Sequence, residues 1–126
     1  MAKKTPIDKL QESIEEILEK YGEEVTLATK EAIQEVTKAG AKAVKANAKG
    51  SFGGTGKYAS GWKSRYEDGR LEGKGIIYNA ALPGLPHLLE FGHAKRGGGR
   101  VSGVVHIEPV EREIMDRFEK LLRTKL

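Results

Sequence analysis

Apolar side chains recur every three or four residues over residues 7–46, which is the spacing of one face of an α-helix. The positions on this apolar face are Ile7, Leu10, Ile14, Ile17, Tyr21, Val25, Ala28, Ala32, Val36, Ala39, Ala43 and Ala46. Thr5 and Pro6 are typical of a helix start, and Gly50 is typical of a helix end. The pattern therefore predicts one long N-terminal helix over residues 6–49.

The length of this helix constrains everything else. A continuous helix over 6–49 would be about 65 Å long, because each residue adds about 1.5 Å. A compact domain of this chain length is only about 35–40 Å across. Either the helix breaks near Gly22 or Gly40, where glycine costs about 1 kcal/mol, or the overhanging part packs on another subunit. We expect a bend combined with an oligomer contact.

The rest of the chain predicts a small antiparallel sheet and two shorter helices. Strands are expected around 62–67 and 75–79, joined by a turn at Asp68 and Gly69, with a third strand at 104–107. Residues 50–58 are expected to form a flexible linker. Pro86 starts a short helix that Gly92 ends, and Pro109 starts a last helix. The apolar face of the last helix consists of Val110, Ile114, Phe118, Leu121 and Leu122.

These elements predict an α+β fold in one domain over residues 1–126, a length that suits a single core. Residues 1–50 supply the long helix. Residues 51–126 supply the β-hairpin, a basic loop, the third strand and the C-terminal helix. We expect a sheet of three to four strands with the C-terminal helix packed on it.

Charge is segregated along the chain, although the net charge is only +4. Residues 1–35 hold nine acidic and five basic side chains, whereas residues 36–66 hold seven basic side chains and no acidic one. Segregated charge guides the docking of subunits or attracts a polyanion. The chain has no cysteine, no apolar leader and no run of about 20 apolar residues, so we expect an intracellular protein without disulfides or a membrane span.

Catalytic motifs are absent or incomplete. The segment GGTGK at 53–57 has Ser51 where a phosphate-binding loop needs its first glycine and Tyr58 where it needs a hydroxyl for magnesium. The serines lack the nucleophile-elbow pattern. We therefore expect no enzyme activity and no cofactor.

The histidines do not have metal-site spacing. His87, Glu90 and His93 are three residues apart, which spreads them over about 200° of a helix. Gly92 interrupts that helix, and His106 could join them only through tertiary folding. We expect no metal ion, and a metal-dependent hydrolase that uses these four residues is kept as a low-ranking alternative.

Basic side chains are concentrated in two segments. One is the lysine face of the first helix, formed by Lys38, Lys42, Lys45 and Lys49. The other is the glycine-rich loop HAKRGGGR at 93–100, with His93, Lys95, Arg96 and Arg100. Both segments are suited to phosphate contacts. For the loop, contact with a neighbouring subunit and contact with nucleic acid are equally favoured, and its glycines predict disorder until assembly.

Aromatic side chains near the basic segments have two interpretations. Tyr58, Trp62 and Tyr66 could stack on bases, as in proteins that bind single strands. Trp62 and Tyr66 share one face of the predicted strand, however, which favours a place in the core. A small, non-specific nucleic-acid-binding protein is therefore the second hypothesis.

The order of several short motifs resembles one family. TGKYASGW at 55–62, IIYN at 76–79, and the run from HLLEFGHAKRGGGR to VVHIEPVERE at 87–113 are similar to the neck proteins of long-tailed bacteriophages and prophages. These are the tail-completion, or head-tail joining, proteins. The similarity extends over most of the chain, and its specific part is confined to residues 55–113. Gly61 departs from the pattern and loosens the expected start of the strand.

The resemblance implies a non-enzymatic virion protein, assembled in the bacterial cytoplasm, that forms a ring at the head-tail junction. It implies contacts with further copies of itself, with six subunits as one option, and with head-connector and tail-tube proteins. DNA would pass through such a ring, so the lysine face and the basic loop would contact either neighbouring subunits or DNA. No cofactor and no membrane are implied.

Overall fold

The computed structural model describes residues 6–52 and 54–126 and confirms the predicted α+β class. The elements in chain order are α1 (Pro6–Ser51), α2 (Lys57–Ser60), β1 (Trp62–Asp68), β2 (Gly73–Asn79), α3 (Leu85–Phe91), β3 (His93–Ala94), β4 (Arg100–Val101) and α4 (Glu108–Lys125). The predicted cap at Thr5 and the first glycine of GGTGK, Gly53, lie outside the described residues. Within the described ranges, no helix is long and apolar enough to cross a membrane.

Helix α1 runs without interruption for 46 residues, so the expected break at Gly22 or Gly40 is wrong. Gly40 lies where α1 meets both β2 and α4. A Cβ atom at this position would be 2.7 Å from Cδ1 of Ile77 and 3.1 Å from Cγ2 of Ile114. The absence of a side chain at Gly40 lets both neighbours pack closely on α1, which offsets the low helix propensity of glycine.

Strands β1 and β2 form the predicted hairpin, with Trp62 opposite Asn79 and Asp68 opposite Gly73. The hairpin also lies close to α1. A Cβ atom at Gly75 would overlap Oγ1 of Thr37, whose hydroxyl donates to the carbonyl of Ile33 at 2.6 Å. Gly75 therefore sets the separation between the hairpin and the long helix.

The third strand expected at 104–107 is wrong. Within the described part of the chain this segment pairs with no strand. The N–H of Val104 donates instead to the carbonyl of Leu89 at 2.7 Å, and those of His106 and Ile107 donate to the Glu90 carboxylate. The second sheet is instead the short hairpin of β3 and β4, with His93 opposite Val101.

The basic loop forms the turn of this second hairpin. Its residues 93–101, named the basic hairpin below, place Ala94 opposite Arg100, and the N–H of Lys95 donates to the carbonyl of Gly99 at 3.0 Å. The three glycines at 97–99 all have positive φ, of 88°, 110° and 81°. Glycine adopts this conformation without the steric cost of a side chain, so the glycines shape the turn.

The core lies where the C-terminal half of α1, α2, the first hairpin and α4 meet. Its buried members are Val44, Ala48, Tyr58, Ala59, Trp62 and Val110. Helix α4 contributes Val110, and the next predicted position on its apolar face, Ile114, packs against the same cluster. The linker expected at residues 50–58 is shorter in the structure, because α1 extends to Ser51 and α2 begins at Lys57.

Replacing Gly75 tests the close approach of the first hairpin to α1. Gly75→Ala should lower the free energy of unfolding by about 1–3 kcal/mol, because the added methyl group overlaps Thr37 and forces the two elements apart. Urea denaturation followed by circular dichroism would measure the change. The control is Gly22→Ala, where an added Cβ meets no heavy atom within 4 Å. The higher helix propensity of alanine should raise the free energy of unfolding of this control by up to about 1 kcal/mol. Equal stability of wild type and Gly75→Ala would contradict this packing.

Candidate assembly surfaces and a buried polar cluster

The N-terminal part of α1 extends beyond the core. Every side chain from residue 7 to residue 24 is exposed, and the first half-buried side chain is Val25. We call residues 7–24 the overhang, and at about 1.5 Å per residue it is about 27 Å long. The overhang is a helix whose side chains make no core of their own.

The overhang carries an apolar stripe, which consists of Ile7, Leu10, Ile14, Ile17 and Tyr21. At about 100° per residue, these five side chains fall within a sector of about 80° around the helix axis. Ala28 and Ala32 lie in the same sector and are buried in the fold. The stripe therefore continues the face by which α1 packs on the core, yet Ile17, for example, is 66% exposed.

The charges of the overhang are strongly unbalanced. It contains seven acidic and two basic side chains, a net charge of −5. Most of the acidic side chains lie on the side of the helix opposite the stripe, and Glu15 and Glu24 are nearest to its edges, as the helical repeat requires. The overhang is thus an acidic amphipathic helix with an uncovered apolar side.

A second exposed apolar surface lies around the end of α3. We call it the apolar patch, and it consists of Leu88, Phe91, Val101, Val104 and Val105, each at least 36% exposed. These residues lie on adjoining backbone, because β4 pairs with β3 directly after α3 and the N–H of Val104 bonds to α3. Phe91 is 63% exposed and contacts the ring of His87, with the centroids 5.1 Å apart.

The basic hairpin borders the apolar patch. The guanidinium of Arg100 donates from Nη2 to the carbonyl of Phe91 at 3.1 Å, which fixes one cation at the edge of the patch. Lys95 and Arg96 are exposed at the turn. His93 is half-buried in β3, and its Nδ1 has no hydrogen-bond partner within the described residues. The four predicted loop residues therefore combine three exposed cations with one partly buried imidazole.

The lysine face of α1 forms a separate basic surface. Lys38, Lys42 and Lys45 line an open groove of about 390 Å³ together with Lys63 of β1. Lys49 lies near the end of α1 and is exposed. Of the aromatics that were considered for base stacking, Tyr58 and Trp62 are buried in the core. Trp62 also lines the groove, but it is only 5% exposed, so the groove offers a polyanion mainly cations.

The most unusual chemistry is a buried polar cluster of Tyr58, Glu90 and His106. Only 5% of Glu90 and 1% of His106 are exposed. The Glu90 carboxylate accepts the N–H of His106 at 2.7 Å and of Ile107 at 2.9 Å on Oε1. Its Oε2 accepts the N–H of Glu108 at 3.0 Å. A carboxylate in this place stabilises the start of α4, since amides at a helix N-terminus are otherwise unpaired.

His106 connects this carboxylate to the aromatic core. Its Nδ1 lies 2.9 Å from Oε1 of Glu90 and 2.8 Å from the carbonyl oxygen of Val104, and its Nε2 lies 2.7 Å from the hydroxyl of Tyr58. With the proton on Nδ1, the Tyr58 hydroxyl donates to Nε2, so every polar group of the cluster has a partner. A fully bonded buried cluster holds its elements in one arrangement.

The pKa values of the cluster follow from these contacts. Burial alone would raise the pKa of Glu90, but the three backbone hydrogen bonds and His106 outweigh it and lower the pKa below the ordinary 4.5. Burial, with a smaller contribution from the negative charge of Glu90, raises the pKa of Tyr58 to about 12. The carboxylate therefore stays ionised and the phenol stays protonated near neutral pH.

The structure brings together only two of the four histidine and glutamate residues that were considered for metal binding. Glu90 and His106 are in contact, whereas the ring of His87 contacts that of Phe91 at a tilt of 53° and His93 lies in β3. Among the residues with described positions, no group of three or more potential ligands could hold a metal ion. Glu90 and His106 instead bond to the start of α4 and to Tyr58.

Sequence reasoning missed the role of the buried polar cluster. Glu90 follows two leucines in a helix of only seven residues, and its spacing from Leu88 and Phe91 gives no sign of burial. The useful signal is Pro109, which marks a helix start just after His106, since a helix start needs an acceptor for its free amides. Local sequence does not show which distant carboxylate supplies it.

Comparison with known proteins yields no match: neither a protein family, nor a curated protein, nor a solved structure is significantly similar to this chain.

Glu90→Gln tests the buried polar cluster. An amide cannot accept all three backbone N–H groups, so the substitution should lower the free energy of unfolding at neutral pH by about 3 kcal/mol. Because folding lowers the pKa of Glu90, its stabilisation is complete above about pH 4.5, the ordinary value, and is lost as the pH falls through the lower folded pKa. The stability difference between wild type and Glu90→Gln should therefore shrink on acidification.

Urea denaturation at several pH values measures this difference, and Glu113→Gln on the exposed side of α4 is the control. The control should change stability by less than about 0.5 kcal/mol. A difference for Glu90→Gln that stayed constant from pH 7 to pH 3 would contradict the assigned ionisation.

Proposed function

We propose that this chain is a non-enzymatic structural subunit that assembles into a ring, acting as a neck or tail-completion protein at the head-tail junction of a tailed phage or prophage. The observation that carries the proposal is the overhang, in which a helix continuous with the core leaves its apolar stripe uncovered. The proposed partners are further copies of this chain, the head connector and the tail tube.

The energetics of the overhang favour assembly. Fully burying one large aliphatic side chain is worth about 1.5–3 kcal/mol. The stripe offers four such side chains and a tyrosine within one sector. A helix end with few tertiary contacts is also the part of a fold that opens most easily. Burial against another subunit stabilises both the interface and the helix itself.

The order of the sequence motifs supports one particular kind of assembly, the neck of a tailed phage. The segments at 55–62, 76–79 and 87–113 resemble phage neck proteins, and in this fold they form α2 and the start of β1, the end of β2, and the region from α3 to α4. These motif segments therefore include the part of the molecule that contains the apolar patch, the basic hairpin and the buried polar cluster. The ring would present the lysine face or the basic hairpin to a neighbour or to passing DNA.

Ile17→Glu tests the stripe as an assembly surface. Ile17 is exposed, so the variant should fold with nearly unchanged thermal stability. Self-association should weaken at least about tenfold, because a loss of about 1.4 kcal/mol at one contact has that effect. Light scattering after gel filtration would measure mass against concentration, and negative-stain imaging would show the rings.

Lys9→Gln is the matched control, since it changes the net charge by the same amount on another side of the overhang. It should assemble like the wild type. A wild-type chain that stayed monomeric at high concentration and also failed to attach to purified phage capsids and tails would contradict the proposed function.

Non-specific binding of nucleic acid is a second candidate function, and one observation favours it. The groove that unites Lys38, Lys42 and Lys45 with Lys63 places cations from two elements on one surface. Contacts of this kind bind phosphates without regard to sequence and weaken steeply with salt.

DNA binding can be measured by fluorescence anisotropy with a labelled duplex. If the groove binds DNA, the triple variant Lys42→Ala, Lys45→Ala, Lys63→Ala should lower the affinity and reduce the dependence on salt. Replacing Lys9, Lys20 and Lys120 by Ala is the control with the same loss of charge. Absence of binding by the wild type at about 50 mM salt removes this function, because electrostatic binding is strong under that condition.

A further inference from the structure

We infer that subunits join head to tail, with the overhang of one copy docked through its apolar stripe on the apolar patch of the next copy. This inference rests on the proposed self-assembly and specifies which two surfaces meet. The occupant of the patch is a second copy of this chain, namely its residues 7–24.

The stripe and the patch are separate uncovered apolar surfaces of one chain. The stripe lies on the overhang, and the patch lies on α3, β4 and the segment that follows β4. A symmetric contact that pairs stripe with stripe, or patch with patch, would leave the other surface exposed. A head-to-tail contact covers both, and its repetition closes into a ring when the rotation allows it.

The stripe is a poor partner for another stripe. Its spacing of three and four residues matches a coiled-coil seam only from Ile7 to Tyr21, and Glu24 occupies the next seam position. A stable coiled coil needs the pattern over about three to four heptads. Two overhangs that pair would also bring together two helices of net charge −5. Like charge disfavours that encounter.

The apolar patch is bordered by charge of the sign opposite to that of the overhang. The basic hairpin adds Lys95, Arg96 and Arg100, and Arg100 is held at the edge of the patch by its bond to Phe91. Attraction between an acidic helix and a basic border steers the two surfaces together and sets their orientation. The apolar contacts then supply most of the affinity, since exposed ion pairs contribute little.

Shape is consistent with this assignment. Every side chain of residues 7–24 is exposed, and the five stripe residues do not line the groove that Leu18 forms with Leu71, so the stripe is accessible to a neighbour. Phe91 is the aromatic residue of the apolar patch and is exposed, and aromatic residues commonly anchor protein interfaces. A helix laid by its apolar side on such a surface is a common mode of recognition.

A mixing experiment tests the inference. The stripe variant carries Ile14→Glu and Ile17→Glu, and the patch variant carries Phe91→Glu and Val105→Glu. All four positions are at least 48% exposed, so both variants should remain folded, which circular dichroism and thermal melting would verify. Sedimentation velocity would measure each variant alone and the equimolar mixture, at concentrations where the wild type is assembled.

Each variant alone should be monomeric, with self-association weakened at least about tenfold. The mixture should form a 1:1 dimer and nothing larger, because the stripe variant keeps an intact patch and the patch variant keeps an intact stripe. The dimer should weaken as salt rises, since unlike charges steer the contact.

The outcomes separate this inference from the proposed function. If the patch variant assembles like the wild type while the stripe variant does not, the stripes pair with each other, and the head-to-tail contact is wrong although self-assembly stands. A mixture that stays monomeric also overturns the inference. A wild-type assembly that stops at a dimer overturns it as well, since two copies can cover both surfaces by exchanging stripe and patch reciprocally. If the wild type itself does not assemble, the proposed function and the inference fail together.

Discussion

The structure depends on one mismatch of lengths: helix α1 is longer than the core against which it packs. From Val25 onward its inner face is covered by the first hairpin and α4, while residues 7–24 continue the same face into solvent. A helix of this kind gains little from packing at its free end. Its apolar stripe stays in contact with water, and exposed apolar surface of this kind is unfavourable. The proposed assembly follows from covering that surface.

Inside the subunit, close packing and one buried carboxylate position the parts that face a neighbour. Gly40 and Gly75 let α4 and the first hairpin lie directly on α1. Glu90 then joins the end of α3 to the start of α4, and His106 links that carboxylate to Tyr58. Because α3 also carries Phe91, the same cluster that orders the core holds the apolar patch in place. Stability and the proposed assembly surface are thus connected through a single short helix.

Local pattern predicted the elements better than their connections. The main helices and the first hairpin follow from the periodicity of α1, the β-prone residues around Trp62 and the proline in the first turn of α4. Each of these signals is contained in a few neighbouring residues. The third strand failed because residues 104–107 bond to Glu90 and Leu89, which are distant in sequence. The cations of the basic hairpin could be identified as candidates from sequence, whereas the patch beside them could not, since it forms only when α3 and β4 meet.

Hydrogen–deuterium exchange of the backbone amides in residues 7–21, measured as a function of protein concentration, tests the central claim most directly. If another copy covers the overhang, these amides should become more protected as the concentration rises, while the amides of residues 28–48 stay protected at every concentration. Exchange of residues 7–21 that is fast and independent of concentration, from dilute protein to the highest soluble concentration, would contradict assembly through the apolar stripe.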